Sequence, residues 1–507
     1  MKPSNRIIVN TLAQYGRTIL NMVLSLYSSR LVLEYLGAND YGIYALVAGV
    51  VSMLSFLTNS LVSSTQRFLS VHQGKGNIDK LKEIFSNSLI IHLFLGFIIS
   101  IILISLIPFM FDGFLNIPEN KINTSKILYV QVVTMVYISL IASPFRALLI
   151  SRENIVYISI IDIVDGILKV ILILLLPKFG DRLLAYGWIM FSIRIFNLLA
   201  FTIYSFIRYE ECIIPRFRKF NITYLKEISY FTGWILYSSG VIAIRVQGLA
   251  IVLNKMLGTA INAAYGIGGQ IAGMISFISS SFNTAISPQL MKSLGAGDRT
   301  RMWFLAEIEC KFSSLLLAMI GIPTMFEMQT LLEIWLKEVP DNTMIFGCMF
   351  LTMNIIDLMS SGLGTVNRAI GNIGKYTLLT FTPKLFILPI AFVCIYYKLS
   401  LMWVCILSIS VEIISMLLRI YYMKNYDDFS ATKFCKAIIL RSLPPVIVSI
   451  IACWIIISHL DFNYRFILTY IIAIPVFLLT AYFISLTKWE KNIVMSFVYK
   501  VLKKKSQ

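Results

Sequence analysis

The sequence predicts an all-α integral membrane protein with about fourteen transmembrane helices. Of the 507 residues, 58% are hydrophobic and only 14% are charged. The mean hydropathy is +0.79, far above that of soluble globular proteins. Apolar runs of about 20 residues recur from end to end, and each can cross a hydrocarbon core of about 30 Å as a helix.

The predicted spans follow one another along the whole chain. They lie near 11–36, 41–66, 84–109, 125–149, 155–177, 183–207, 229–254, 260–287, 304–326, 343–366, 376–397, 400–423, 437–458 and 464–486. An even number of spans places both termini on the same side of the membrane.

Lys and Arg give the orientation, because cytoplasmic loops of membrane proteins are enriched in both. Most of the 44 Lys and Arg fall in alternate loops, including Lys75, Lys80 and Lys82, and in the C-terminal tail. We therefore expect both termini and the linker near 208–229 in the cytoplasm, and the loops 110–124 and 327–342 outside. The net charge of +18 reflects this bias and attraction to anionic lipid, so nucleic-acid binding is not predicted.

An internal duplication relates the second and the eighth span. A shift of 221 residues lays 36–76 over 257–297 without a gap, and pairs Gly74 with Gly295. Since six spans separate the copies, the sequence predicts two parallel halves. The predicted domains are a six-helix bundle at 1–207, an amphipathic linker at 208–228, a second bundle at 229–424, and helices 13 and 14 with a basic tail at 425–507.

Polar residues follow single helical faces in the first two spans of each half. In such a pattern the polar positions recur every three or four residues. A stripe of this kind predicts a water-filled cavity between the halves, whereas single polar residues suit hydrogen bonds between helices. The residues predicted to line the cavity are Gln14, Arg17, Asn21, Asn59, Gln66, Arg245 and Gln270.

Three arginines lie deep in predicted spans, namely Arg17, Arg194 and Arg245. Others, such as Arg146, lie nearer span ends, where the side chain can reach the lipid head groups. Neither Arg17 nor Arg245 has a carboxylate nearby in its own span, so each would be costly unless water or an anion satisfies it. We therefore predict an anionic substrate group at both.

The carboxylates inside spans leave two interpretations open. Asp165 and Lys169 have the spacing of an intrahelical ion pair, which leaves Asp162 without a partner in its own span. Asp162 or Asp165 could then couple transport to an ion, or either could pair with Arg194 in the next span. Asp357 and Glu412 are also embedded, and the sequence suggests no partner for them.

No enzyme signature is present in the sequence. The stretch "AIGNIGKYT" lacks the first glycine and the hydroxyl residue of a phosphate-binding loop. The three histidines and seven cysteines have no metal-binding spacing. We expect no catalytic residue, metal or cofactor. A membrane glycosyltransferase or polymerase is the enzyme alternative, but it would need a larger external loop than the one near 327–342.

The N-terminal stretch "NTLAQYGRTILNMVLSLYSSRLVLEYLGANDYGIYALVAG" resembles the Wzx-type polysaccharide flippases of the multidrug/oligosaccharidyl-lipid/polysaccharide (MOP) exporter superfamily. Its most specific part is "LGANDYGIYALV" at 36–47. The resemblance implies two helical bundles around a cavity that opens alternately to either side of a bacterial inner membrane. The implied substrate is an oligosaccharide on polyprenyl pyrophosphate, with cavity cations facing its phosphates. The implied partners are this lipid, membrane lipids, a polysaccharide polymerase and glycosyltransferases.

Three other functions remain as alternatives. A cation-coupled drug or organic-cation antiporter of the same superfamily would share the fold, but its cavity should be dominated by carboxylates. A flippase for the peptidoglycan lipid precursor would share both the fold and the anionic substrate. A membrane scaffold for glycan assembly would need no deep cations.

Overall fold

The computed structural model describes residues 3–52, 55–111, 118–214, 222–336, 339–460, 462, 464–488 and 490–492. These residues are almost entirely helical, and none of them forms a β-strand. A helix satisfies its own backbone hydrogen bonds, which a chain in lipid requires. The predicted all-α membrane fold is confirmed.

The helices follow the order of the predicted spans. The α-helices are α1 (Pro3–Ser52), α2 (Ser55–Gly74), α3 (Ile78–Ser105), α4 (Ile107–Phe109), α5 (Ile122–Ser151), α6 (Ile155–Leu174), α7 (Arg182–Arg208), α8 (Ile222–Leu257), α9 (Thr259–Gly295), α10 (Arg299–Phe326), α11 (Met328–Trp335), α12 (Thr343–Leu358), α13 (Ser361–Ile370), α14 (Ile373–Phe381), α15 (Ile387–Tyr396), α16 (Leu401–Met423), α17 (Ala431–Ala437), α18 (Ile439–His459) and α19 (Arg465–Thr480). Short 3-10 helices cover Glu119–Lys121, Leu176–Lys178 and Thr382–Phe386, and a π-helical turn covers Ala481–Ser485.

Nine helices of the described ranges are long and apolar enough to cross a membrane, or up to eleven if each bent pair counts as one span. The bent pairs are α10 with α11, at 78°, and α12 with α13, at 47°. The helices α1, α2 and α6, which hold predicted spans 1, 2 and 5, are not among the nine. These helices carry most of the polar residues that the sequence assigns to a cavity.

The chain divides into two compact units. The first unit comprises Met1–Ser239 and Ala285–Arg299, and the second comprises Gly240–Thr284 and Thr300–Gln507. Helices α8 and α9 each begin in one unit and end in the other, so the predicted domain boundaries remain a prediction. The linker predicted at 208–228 also stays a prediction: α8 begins at Ile222, and residues 215–221 lie outside the described part.

Each unit has its own apolar core. In the first unit α5 is the most buried span, and its residues Leu128, Tyr129 and Leu148 are fully buried. In the second unit the fully buried residues include Phe346 and Leu351 of α12. By contrast, only 11% of the most apolar part of α8 is buried within the protein. An apolar surface left uncovered on this scale suits contact with lipid.

Glycine positions in the structure support the internal duplication. Gly37 and Gly258 are 221 residues apart, and both have a positive φ, of 77° and 92°. Gly37 breaks α1 between the first two predicted spans, and Gly258 separates α8 from α9. A left-handed backbone of this kind favours glycine. The repeated "LG" therefore marks the same turn in both copies.

Gly74 and Gly295, also 221 residues apart, lie against each other within the first unit. A methyl group on Gly295 would lie 3.1 Å from the Cα atom of Gly74 and would overlap the carbonyl oxygen of Val71. A methyl group on Gly74 would overlap the carbonyl oxygen of Lys292. Val71 and Lys292 are themselves equivalent under the 221-residue shift. The two copies thus make the same contact with each other from both sides.

Gly295→Ala should destabilise the protein by about 1–3 kcal/mol, because the backbones of α2 and α9 must separate to admit the methyl group. The thermal unfolding midpoint of the purified protein in detergent measures this effect. Gly233→Ala in α8 is the matched control, since nothing lies within 4 Å of its added methyl group. Equal midpoints for both variants would contradict the close contact.

Contacts at the helix ends support the alternating order of the spans. Lys121 Nζ lies 2.9 Å from Asp40 Oδ2, and both residues belong to loops predicted outside. Lys292 Nζ lies 2.6 Å from Glu153 Oε1, and both belong to ends predicted inside. In the second unit Arg465 Nε lies 3.1 Å from Glu327 Oε1, again at ends predicted on one side. Each of these ion pairs thus joins two helix ends that the sequence predicts on the same side of the membrane.

Single cysteines in place of Lys75 and Trp335 test the predicted orientation. Both positions are exposed, so both can react with a membrane-impermeant maleimide. We expect residue 335 to be labelled in intact cells, and residue 75 only after permeabilisation. The native Cys212 should react slowly, because burial raises the pKa of its thiol to about 12 and the thiolate is the reactive form. Labelling of residue 75 but not 335 in intact cells would invert the topology.

Candidate functional site: two ion clusters

In the first unit one carboxylate holds two arginines. Arg17 of α1 donates from Nη1 to Asp162 Oδ2 at 2.6 Å. Arg146 of α5 donates to both oxygens of the same carboxylate, at 3.3 and 3.1 Å. The three residues form what we call the Asp162 cluster. Its side chains are partly exposed, from 17% for Arg17 to 35% for Arg146.

Two further residues of the predicted polar face of span 1 lie beside this cluster. Gln14 is buried, and its Oε1 accepts a long hydrogen bond of 3.5 Å from Arg17 Nη2. Asn21 also faces α6, because its Oδ1 lies 3.0 Å from where a methyl group on Gly166 would be. This oxygen is buried without a hydrogen-bond partner in the described part of the chain. Span 1 therefore directs its predicted polar face toward α6.

The structure corrects the pairing inferred for the acidic residues of α6. Asp162 bonds Arg17 of α1 and Arg146 of α5, so its cationic partners come from other helices and not from its own span. Asp165 accepts a hydrogen bond of 2.8 Å from Asn197 Nδ2, and no ion pair within 4.0 Å joins it to Lys169 in the structure as described. Arg194 is exposed and forms no such pair with either aspartate. The partners of Asp162 and Asp165 therefore come from the helices that pack beside α6, and not from residues at helical spacing within α6.

The second unit contains a larger cluster. Arg245 Nη1 of α8 lies 3.0 Å from Glu412 Oε2 of α16. The other oxygen of Glu412 lies 2.5 Å from Lys384 Nζ, which also lies 3.3 Å from Asp357 Oδ1. Arg419 Nη2 lies 2.6 Å from the same Asp357 oxygen. These five residues form what we call the Glu412 cluster.

The Glu412 cluster is closed at one end and open at the other. The side chains of Glu412, Lys384 and Arg419 are 2%, 4% and 6% exposed, whereas that of Asp357 is 38% exposed. Arg419 is held further by Ser360 Oγ at 3.1 Å and by the carbonyl oxygen of Asp357 at 3.2 Å. The accessible members of this mostly buried cluster are therefore the carboxylate of Asp357 and the guanidinium of Arg245, which is 14% exposed.

Both clusters carry one more cation than anion. The Asp162 cluster has two arginines and one carboxylate, and the Glu412 cluster has three cations and two carboxylates. In each cluster one arginine comes from the first predicted span of its half. The sequence singles out Arg17 and Arg245 because neither has a carboxylate nearby in its own span, and in the structure each is paired with a carboxylate of another helix. Their partners come from other helices, 145 and 167 residues away.

The remaining predicted cavity residues do not join either cluster. Asn59 and Gln270 have exposed side chains, and Gln66 is half-buried. No hydrogen bond of the described residues links these three to Arg17 or Arg245. Their assignment to a substrate site stays a prediction.

Sequence reasoning missed the contributions of Arg146, Lys384 and Arg419. The sequence predicts Arg146 near a span end with its side chain at the lipid head groups, and it suggests no role for Lys384 or Arg419. A signal was available: the embedded acids Asp357 and Glu412 require cations, and Lys384 and Arg419 lie in the same half of the chain. In the part of the chain that the structure describes, no group of three or more His, Cys, Asp or Glu side chains could hold a metal ion.

These helices define a multi-pass membrane protein. The fold is similar to that of a MATE protein in the straight conformation, with a TM-score of 0.72, 13% identity, and coverage of 86% of this chain and 98% of that chain. For the Vibrio cholerae MATE transporter VcmN the TM-score is 0.72 at 16% identity, with coverage of 84% and 98%. For a MOP superfamily transporter from Pyrococcus furiosus it is 0.70 at 12%, with coverage of 86% and 97%. At these identities the likeness concerns the fold alone.

The family follows from the sequence match. The family described as "Polysaccharide biosynthesis protein" matches residues 5–294, more than half of the chain. The protein belongs to this family, and the resemblance to polysaccharide exporters of the MOP superfamily is confirmed. A relative in Bacillus subtilis (strain 168), named uncharacterized membrane protein EpsK, is 21% identical over 325 residues. The match covers 61% of this chain and 61% of that relative.

Asp162→Asn should lower stability by about 3–5 kcal/mol, because it leaves two guanidiniums without their carboxylate. Abundance in the membrane and the thermal midpoint in detergent measure the loss. Adding Arg146→Gln should restore part of the stability, since it removes one of the two unpaired charges. Asp40→Asn, which removes a carboxylate that pairs with the single cation Lys121 in loops predicted outside, is the control and should cost about 0–1 kcal/mol. Equal effects at positions 162 and 40 would contradict a structural Asp162 cluster.

Proposed function

We propose that this protein moves an oligosaccharide linked to polyprenyl pyrophosphate across the bacterial inner membrane by alternating access. The glycan would serve surface polysaccharide such as O-antigen, capsule or exopolysaccharide. The proposal makes the protein a flippase or exporter and not an enzyme. Its partners would be the lipid-linked oligosaccharide, membrane lipids, and a polymerase and glycosyltransferases that make and extend the glycan.

The surplus cation in each ion cluster carries this proposal. A cluster that served folding alone would be most stable with equal numbers of cations and carboxylates, because an unpaired charge in a membrane span is costly. An anionic substrate can supply the missing charge while it is bound. Arginine suits a pyrophosphate, since its planar guanidinium binds phosphate oxygens in pairs and keeps its proton.

The membership in a polysaccharide biosynthesis family supports a glycan substrate. Within the first unit Arg17 would bind a phosphate group, with Gln14 and Asn21 beside it for sugar hydroxyls, and within the second unit Arg245 would bind a phosphate group. The half-buried or exposed Asn59, Gln66 and Gln270 would contribute further hydrogen bonds. An inside-negative membrane potential would help to expel the anion, by about 2.3 kcal/mol per charge per 100 mV.

The charge sign separates this proposal from drug export. One structural neighbour is titled a multidrug resistance MATE family transporter, and an organic cation is the substrate class that a surplus of carboxylates would suit. Both clusters here have the opposite sign. A peptidoglycan precursor flippase would share the anionic substrate, so only a comparison of substrates separates it from a polysaccharide flippase.

A role for Asp162 and Asp165 in ion coupling stays a prediction. Asp162 is engaged by Arg17 and Arg146, and Asp165 by Asn197. A coupling ion at Asp162 would therefore have to displace an arginine during the transport cycle. If Asp162 has this role, the variant Asp162→Asn should lose the pH or Na⁺ dependence of transport.

Arg17→Gln and Arg245→Gln test the substrate role without leaving a carboxylate unpaired. In the first variant Asp162 keeps Arg146, and in the second Glu412 keeps Lys384. Both proteins should therefore accumulate normally. Export should fall at least about tenfold, since a lost hydrogen bond to a charged group costs about 1.5–3 kcal/mol. Surface glycan and cytoplasmic lipid-linked glycan are the two measurements.

Two further variants complete this experiment. Arg245→Lys should keep partial export, because the charge remains and the paired donors are lost. Arg182→Gln is the control, since Arg182 is exposed at a helix end and, among the residues that the structure describes, donates only to the carbonyl oxygen of Tyr35. Normal surface glycan with both Arg17→Gln and Arg245→Gln, at normal abundance, would remove the main support for the proposal.

A further inference from the structure

The first unit contains a cavity of about 350 Å³, away from the Asp162 cluster. It lies at the end where α1 and α6 begin and α7 ends, which is the end predicted inside. Its lining includes Arg6, Arg152, Asn154, Tyr204, Arg208 and Tyr209. The volume is within the range of small-ligand sites. The lining combines three arginines with two tyrosines.

Hydrogen bonds inside this lining leave the two tyrosines as donors. Asn154 Oδ1 accepts from the backbone N–H of Tyr157 at 3.4 Å, which orients the amide. Asn154 Nδ2 then donates to the hydroxyls of Tyr204 and Tyr209, at 2.8 and 3.0 Å. Each hydroxyl keeps its own O–H for another acceptor. Burial raises the pKa of Tyr209, so its hydroxyl stays protonated near neutral pH.

The charges in the cavity are also unbalanced. Arg6 and Arg208 form no ion pair within 4.0 Å with any described residue. Arg152 is held by Glu211, whose Oε1 lies 2.5 Å from its Nε. The carboxylate that lines the cavity, Glu153, is occupied by Lys292 Nζ at 2.6 Å and Gln289 Nε2 at 3.0 Å. The cavity therefore offers guanidinium and hydroxyl donors and little free acceptor capacity.

Apolar residues at the same end indicate where the ligand comes from. Ile207 and Ile214 are 81% and 75% exposed, and Val9, which lines the cavity, is also exposed. Exposed isoleucines beside a site rich in donors suit a molecule with an anionic head and an apolar tail. A soluble phosphate would gain nothing from them.

We propose that this cavity, lined by Arg6, Arg208, Tyr204 and Tyr209, binds the phosphoryl head group of a lipid at the membrane surface. A phosphate, which only accepts hydrogen bonds, can accept from all four of these side chains. The acyl or prenyl chain of the lipid then lies along Ile207 and Val9. The site does not depend on the proposed transport function. An ordinary phospholipid and a polyprenyl pyrophosphate share the required chemistry, and the experiment separates them.

The experiment uses the purified full-length chain in nanodiscs. One arm compares phosphatidylcholine alone with phosphatidylcholine containing phosphatidylglycerol, and reads the thermal unfolding midpoint. The other arm titrates farnesyl pyrophosphate and reads its apparent Kd. Stabilisation by phosphatidylglycerol assigns the site to membrane phospholipid, binding of farnesyl pyrophosphate alone assigns it to prenyl pyrophosphates, and each supports the proposal. Inorganic phosphate should bind far more weakly than either lipid, and equal binding would overturn the lipid assignment.

Two double variants locate the effect at the cavity. Arg6→Gln with Arg208→Gln should weaken binding by at least about tenfold, equivalent to about 1.4 kcal/mol. Tyr204→Phe with Tyr209→Phe should also weaken it while leaving the net charge unchanged. Lys75→Gln with Lys433→Gln is the charge-matched control, because both lysines are exposed outside the cavity. If both cavity variants bind as the control does, or if the wild type responds to neither lipid, the proposal is wrong.

Discussion

The pairing of charges inside membrane-spanning helices is the constraint on which this structure depends. A lone arginine or carboxylate in the hydrocarbon region costs about 3 kcal/mol or more, and a protein of this kind carries many of them. The structure meets that cost with two compact clusters, each built around a carboxylate shared by two cations. The helices that supply these residues are fixed relative to one another within each unit by the same contacts.

The two clusters solve the same problem with different residues. In the first unit the shared carboxylate, Asp162, comes from α6 and is partly exposed. In the second unit the shared carboxylate, Glu412, comes from α16 and is almost fully buried. The duplicated halves have therefore conserved the sign of the surplus charge without conserving its position. A carboxylate that balances buried cations can come from any helix that reaches them. A motif whose exact geometry mattered would have to stay at the same position in both halves.

Much of the fold was predictable, because long apolar runs specify helices independently of their partners. Every predicted span falls largely on helical residues in the described ranges. The arginines of the site were also predictable, since a cation inside a span is conspicuous. Their partners were not. Asp162 meets Arg17 across 145 residues and Arg146 across 16, and a helical period says nothing about which helices become neighbours.

Local spacing was a misleading guide in one case. Asp165 and Lys169 have the ideal separation for a pair on one helix, yet Asp165 bonds Asn197 of the neighbouring helix. An intrahelical pair between partly exposed side chains contributes only about 0.2–0.5 kcal/mol, so a hydrogen bond between helices readily replaces it. The glycine pattern was the more reliable guide, because backbone conformation and close backbone contact leave few substitutes for glycine.

The contact between Gly74 and Gly295 has the form of an isologous interface, in which the same patch meets itself. Each glycine faces the carbonyl group at the equivalent position of the other copy. In a half-length chain that assembled as a symmetric dimer, one codon would have specified both sides of this contact. A single replacement there would have changed both sides together. After fusion into one chain, each copy can mutate alone. The contact between α2 and α9 can then become asymmetric only through separate mutations, and each mutation must still leave room for the backbone of the other helix.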